Sequence, residues 1–207
     1  MKPFHRHSKI KHFRHWRIVI AIIFFLIVIF GILFFINRST HFFRIQKIAP
    51  LPTGLDPHFM TSVNDCFIPT AAAYGYTLRI TAGFRSLAQQ DQMYQQGRTT
   101  TGHIVTEADS YRSIHNYGFA VDVVDRWRGY KINWSRLVKI GAYCGLESGG
   151  SGDLPHFEHR GGLSTADFEA GKRPTPLTLP CPIMATRANA NQPLTRKDLK
   201  SCGSPTF

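Results

Sequence analysis

The chain has 207 residues, enough for one ordinary domain with appendages. Its hydrophobic content of 43% is concentrated near the N-terminus, and its net charge of +12 with a pI near 9.9 raises the question of nucleic-acid binding. The placement of the charges argues against nucleic acid. Lys2, Arg6, Lys9, Lys11, Arg14 and Arg17 precede an apolar run, where a membrane orientation signal belongs. The other basic residues form no stripe and no recognised nucleic-acid motif. A basic surface facing anionic cell wall or lipid fits this balance.

Residues 1–17 are basic and His-rich without hydrophobic periodicity and read as a solvated cytoplasmic tail. Ile18 to Ile36 is a run of nineteen residues without a charge. At about 1.5 Å per residue, a helix of that length nearly crosses a hydrocarbon core of roughly 30 Å. Cleaved signal peptides have cores of about 7–15 residues and small-residue cleavage sites. Here the exit, Ile36-Asn-Arg38-Ser-Thr-His41, has no Ala-x-Ala pattern, so an uncleaved signal anchor is expected over 18–36. Six Lys or Arg before the run, against Arg38, Arg44 and Lys47 after it, put the N-terminus in the cytoplasm and the remainder outside. Residues 37–54 read as a membrane-proximal stalk.

A helix is expected over Asp56–Tyr74, with Asp56 as N-cap, Pro57 at the first helical position and Gly75 at its end. Tyr76–Ala82 alternates as a strand does. Ser86 can cap a helix running to about Gln96, stopped by Gly97, which puts Arg85 at the strand–helix junction and Gln90 one turn in. Thr99–Arg112 is polar and turn-rich. Phe119–Val124 reads as a buried strand, and Asn133 or Ser135 can cap a helix ending near Tyr143. Leu154–His159 is the last site-bearing segment expected. Beyond Arg160, six prolines from Pro174 to Pro205 stud a polar tail, expected over 166–207 to be extended or loosely packed.

Chemistry concentrates in two stretches. In His115-Asn-Tyr-Gly-Phe-Ala-Val-Asp122 a carboxylate stands within an apolar strand, which is costly unless it is paired. Gly118 lets the chain turn and bring His115 beside Asp122. A divalent metal satisfies both residues, and so does a plain His–Asp hydrogen bond. In Asp153-Leu-Pro-His156-Phe-Glu158, His156 can supply a third ligand and leave a fourth position for water, with Asp153 beside that water as general base. Residues 153 and 156 face opposite ways on a regular strand, so the chain must turn near Pro155.

These stretches carry a resemblance. Ser113-x-His115-x-x-Gly118-x-Ala120-x-Asp122 followed by Asp153-x-Pro-His156-Phe-Glu158 resembles the zinc D-Ala-D-Ala carboxypeptidases and dipeptidases of the VanY and VanX type. It is more similar still to the L-alanyl-D-glutamate endopeptidases of phage lysins and sporulating bacteria. A third block, Gly83-Phe-Arg85-Ser86-x-x-x-Gln90, continues through Tyr94-x-x-Gly97-Arg98-Thr99 to Val105-Thr106. The resemblance implies Zn2+ held by His115, Asp122 and His156, Asp153 as catalytic acid/base, Arg85 at the developing oxyanion, and Ser113 and Gln90 near the substrate. It also implies an α+β domain over 55–165, with a small antiparallel sheet, acting on peptidoglycan stem peptides. One departure bears on specificity. Relatives follow Gly-Leu-Glu with a Trp-Gly-Gly-x-Trp-like stretch, whereas this chain has Gly145-Leu-Glu147-Ser148-Gly-Gly-Ser-Gly-Asp153.

Two rival readings are a non-catalytic zinc-containing cell-wall binding module and an envelope scaffold working through the tail. Asp153 and Arg85 discriminate, because a pure binding module has little need of either. Cys66, Cys144, Cys181 and Cys202 all follow the apolar run and allow two disulfides in three connectivities. The preferred pairing joins Cys66 to Cys144, both in expected helices, and Cys181 to Cys202, both in the tail.

Overall fold

The computed structural model describes residues 16, 20, 22–32 and 52–204. The expected tail at 1–17, the stalk at 37–54 and the ends of the expected span lie largely outside them. Residues 22–32 are helical and exposed, in a unit comprising Met1–Lys47. Among the described residues no helix is long and apolar enough to cross a membrane.

The second unit, Ile48–Phe207, opens with a helical rod. Asp56 caps it, its carboxylate accepting from Phe59 N at 2.9 Å, and Pro57 begins α1 (Pro57–Thr61). The rod then widens into a π-helical segment, Ser62–Phe67, before α2 (Ile68–Ala73). Pro69 accounts for the widening: it has no N–H for the carbonyl four residues back, and its ring clashes there in a regular helix. Ile68 N accordingly bonds Val63 O, five residues back. Phe59, Val63, Cys66, Phe67 and Ala71 form the buried stripe of the rod.

Four antiparallel strands form a sheet in the order β1-β2-β4-β3. They are β1 (Leu78–Ala82), β2 (Ala120–Asp125), β3 (Glu147–Ser148) and β4 (His156–Glu158). Thus β1 starts two residues later than expected, and β2 runs one residue further, to Asp125. Val121, Val123 and Phe157 are fully buried, while Asp122 pairs in register with His156 on the other face. Asp125 turns into the core side. It is buried and accepts from Thr77 N, Trp127 N, Arg128 N and the Arg128 guanidinium. The Arg128 contact outweighs burial and holds this carboxyl well below the usual range.

Ser86 and Gln89 close a capping box on α3 (Leu87–Gln95), and Asn133 caps α4 (Trp134–Tyr143). Leu137 and Ile140 of α4 bury against the rod and sheet, and the Cys66–Cys144 disulfide ties the rod to the end of α4.

The C-terminal segment corrects an expectation. Residues 166–204, the described part of the expected tail at 166–207, are not loosely packed. They include most of α5 (Thr165–Glu169), then α6 (Pro182–Asn189) and α7 (Arg196–Ser201), with Cys181 bonded to Cys202. Phe168, Met184 and Leu199 are completely buried in the common core. Phe168 packs on Tyr117 and Phe119, with ring centroids 5.1 and 5.8 Å apart, directly behind the His115 loop. Each helix offers about one core residue, too few to show a period, and Pro182 starts a helix at its first position rather than breaking one.

Candidate metal centre

Ser113 leads into a short 3-10 turn, Ile114–Tyr117, that ends at Gly118 with φ +80°. A Cβ at position 118 would lie 2.4 Å from Gly54 O, so only glycine permits the chain to reverse here into β2. The reversal brings His115 Nε2 to 3.3 Å from Asp122 Oδ1. From β4, His156 Nδ1 reaches the same oxygen at 3.2 Å and His115 Nε2 at 3.1 Å. The ligand atoms of these three residues all lie within 4.8 Å of one another.

The outer nitrogens fix the tautomers. His115 Nδ1 lies 2.6 Å from Gly83 O, which can only accept, so Nδ1 carries the proton and Nε2 turns a lone pair inward. His156 Nε2 lies 2.8 Å from the Glu158 carboxylate, so its Nδ1 lone pair also points inward. Two lone pairs and a carboxylate oxygen therefore meet in a largely buried space. That arrangement demands positive charge. It is the pattern of histidine ligands oriented by a carbonyl and a carboxylate behind them, and a divalent cation fits it.

Without a cation the cluster takes up a proton. Burial pulls the His156 pKa down, but hydrogen bonds to Asp122 and Glu158 more than reverse this, to about 9. Burial likewise pushes the Asp122 carboxyl up, while hydrogen bonds from both histidines and the charge on Arg85 hold it well below the ordinary carboxylate range.

Arg85 stands where β1 gives way to α3. Its N–H donates to His115 O at 3.2 Å, and its carbonyl accepts from Asn116 Nδ2 at 2.9 Å, locking the two loops together. Its guanidinium donates to Asp122 Oδ2 at 2.6 Å, the carboxylate oxygen turned away from the histidines. Gln90 is fully buried and bonds Ala108 O at 2.7 Å, so it braces the 106–108 loop and offers no surface to a substrate. Ser113 is likewise buried.

The turn expected near Pro155 is present: His156 N donates to Asp153 O at 3.2 Å. Gly149 packs against this turn so closely that a Cβ there would lie 3.0 Å from both Asp153 Cβ and His156 Cβ. Asp153 is exposed and lines a cleft of about 650 Å³ with Arg85, Asp122, Met93, Ile104 and Val105. The cleft thus joins an exposed carboxylate, a guanidinium and one edge of the metal cluster.

The sequence motif includes Glu158 but gives it no role, although the signal for one was present. Glu158 stands two residues from His156 on a strand and so shares its face. Hydrogen bonds to His156 and to Arg160 outweigh burial and keep its carboxyl low. The carbonyl of Gly83 carries no signal, because every residue has one.

The chain is similar to known proteins to different extents. Residues 55–137 match the family described as VanY, D-alanyl-D-alanine carboxypeptidase. The peptidoglycan L-alanyl-D-glutamate endopeptidase CwlK of Bacillus subtilis (strain 168) is 33% identical over 159 residues, which cover 68% of this chain and 93% of that protein. The solved structure of the vancomycin resistance D,D-pentapeptidase VanY, in complex with Zn(II), is 16% identical, covers 55% of this chain and 78% of its own, and has a TM-score of 0.42. The L-Ala D-Glu endopeptidase ChiX of Serratia marcescens is 24% identical over 56% of this chain and 85% of its own, with a TM-score of 0.36. On the identity to the Bacillus protein across nearly its whole length, the chain belongs to the VanY family of peptidoglycan peptidases.

Proposed function

We propose that the chain is a membrane-anchored zinc metallopeptidase that hydrolyses peptide bonds in peptidoglycan stem peptides. The observation that carries this reading is the convergence of His115 Nε2, His156 Nδ1 and Asp122 Oδ1, with both outer imidazole nitrogens engaged. Zinc held by these atoms supplies Lewis acidity and a water whose pKa falls to about 7. The remaining roles fall to the chain. Asp153 accepts the proton of the attacking water and passes it to the leaving amine. Arg85 steadies Asp122 through Nη2, donates from Nη1 to Gln90 Oε1 at 3.4 Å, and offers its remaining N–H groups to the oxyanion that develops on the scissile carbonyl.

Of the two bonds cut within this family, L-Ala–D-Glu is favoured by the identity to the Bacillus endopeptidase. Digestion of purified peptidoglycan with the zinc-loaded chain is expected to release fragments with a new amino terminus at D-Glu, read by mass spectrometry. Loss of a terminal alanine alone identifies a carboxypeptidase instead. Bound zinc with no cleavage of polymer or stem peptide overturns the enzymatic reading in favour of a binding module.

The anchor rests on the uncharged run Ile18–Ile36 and the six basic residues before it. The two disulfides agree with a domain outside the cytoplasm. A reporter active only outside the cytoplasm and fused after Phe207 is expected to function, and an expressed but silent fusion counts against this orientation.

A further inference from the structure

The face of the sheet that carries the metal cluster continues past it. Val124 lies two residues beyond Asp122 on β2 and shares its face, and Arg79 of β1 is its direct partner across the ladder. Arg126 extends the pairing, its N–H donating to Thr77 O at 2.7 Å. At about 3.3 Å per residue, Arg79 lies level with a point roughly 7 Å along β2 from Asp122, and Arg126 about 13 Å. Trp127 follows, 77% exposed, with the Arg126 guanidinium 5.2 Å from its ring centroid.

These residues stand apart from their neighbour. Arg128 is tied to Asp125, to Gly75 O and to the Tyr76 ring, and so serves the fold. Arg79 and Arg126 are exposed and have no ion pair among the described residues. An exposed indole beside the uncompensated Arg126 guanidinium, at the end of a ladder that also carries Arg79, has no structural task here, and such surfaces mark contacts with a partner.

We propose that Arg79, Arg126 and Trp127 form a remote docking site for the polymer from which the cleaved peptide hangs, an anionic chain of sugars bearing carboxylated peptides. This rests on the peptidase reading above. The guanidiniums match the carboxylates, and the free indole face matches a sugar ring. An extended peptide covers about 3.3–3.6 Å per residue, so two to four residues bridge the metal cluster and this site. An anionic bilayer is the other surface that attracts Trp beside Arg. Pressed on this face, however, it would cover the side of the sheet that carries His115, Asp122 and His156, where the polymer must enter.

The test compares the full wild-type chain with the combined variant Arg79→Gln, Arg126→Gln, Trp127→Ala on two substrates, intact peptidoglycan and a soluble stem peptide without sugar. On the polymer, kcat/KM is expected to fall about 10- to 100-fold and to lose its dependence on salt, since several weak exposed contacts act together. On the peptide it is expected to stay unchanged. Equal rates on the polymer for the two proteins overturn the proposal, as does an equal fall on both substrates. Co-sedimentation of the metal-free chain with peptidoglycan reads docking without turnover, so docking can be scored even if the peptidase reading fails. Wild-type and variant chains that sediment alike with peptidoglycan, but differ on phosphatidylglycerol vesicles, assign the surface to lipid and also overturn it.

Discussion

Replacing Asp153 by alanine is expected to lower turnover by about 10²–10⁴-fold while zinc stays bound at about one ion per chain. The two readouts separate because the side chain lies outside the ligand cluster. No hydrogen bond engages its carboxylate among the described residues, it is exposed, and it borders the cleft that also reaches Arg85 and Asp122. A carboxylate so placed can face the attacking water, whereas Asp122 is engaged by two histidines and an arginine and cannot. Arg85→Ala makes an instructive contrast. It removes an N–H source for the oxyanion, with an expected loss of about 10²–10³-fold, but it also releases Asp122 Oδ2, so zinc affinity should weaken too. Loss of zinc from Asp153→Ala, measured by metal analysis after gel filtration, would mean that Asp153 is a ligand and would falsify its role as base.

The second large effect concerns the metal. His115→Ala is expected to abolish stoichiometric zinc and with it hydrolysis, because His115 supplies one of three donor atoms and, among the described residues, no spare donor belongs to the cluster. Glu158→Gln is expected to be milder, about 10–100-fold in zinc affinity, since it weakens the hydrogen bond that holds His156 Nδ1 inward. The pH dependence has a definite sign. In the metal-free chain the His156 pKa is raised from 6.5 to about 9, so its protonation stabilises the fold fully below pH 6.5 and that contribution is lost as pH rises through 9. Zinc needs the neutral imidazole, so its affinity should rise over the same interval as the proton is given up. Metal-free protein should therefore melt at a lower temperature at pH 9.5 than at pH 6.5, and added zinc should raise the melting temperature most at the higher pH. An equal zinc-induced shift at both values would mean that no proton on His156 competes with the metal.

Much of the site was legible because its residues sit at short, fixed spacings. His115, Gly118 and Asp122 fall within one turn-and-strand unit, and Asp153, Pro155 and His156 within one turn. Local stereochemistry thus limits where each side chain can go. Ser86, Asn133 and Asp56 announced their helices for the same reason, since a cap acts within three residues. The roles of Arg85 and Gln90 were less legible. Arg85 reaches across 37 positions to Asp122, and Gln90 turns inward to hold a loop 16 to 18 positions away. Neither partner can be named from a window of neighbouring residues.

The C-terminal segment shows the limit most clearly. Its prolines and polar residues suggested a loose tail, yet Phe168, Met184 and Leu199 are each completely buried. Hydrophobic periodicity reports an element only when the element supplies several core residues of its own. Here three short helices supply about one each, and the rest of their surroundings comes from the rod, α4 and the His115 loop.

By itself the sequence determined the donor atoms available to a metal, the strand that presents Asp122, the turn before His156 and the cysteines able to pair, because all of these follow from residue chemistry and local backbone geometry. Only the tertiary structure decided which nitrogen of each histidine faces inward. That choice depends on Gly83 O and Glu158, a backbone group and a side chain set in place by the pairing of β1, β2 and β4. A lone pair is aimed by whatever holds the other side of the ring, and that partner is a matter of packing, not of spacing.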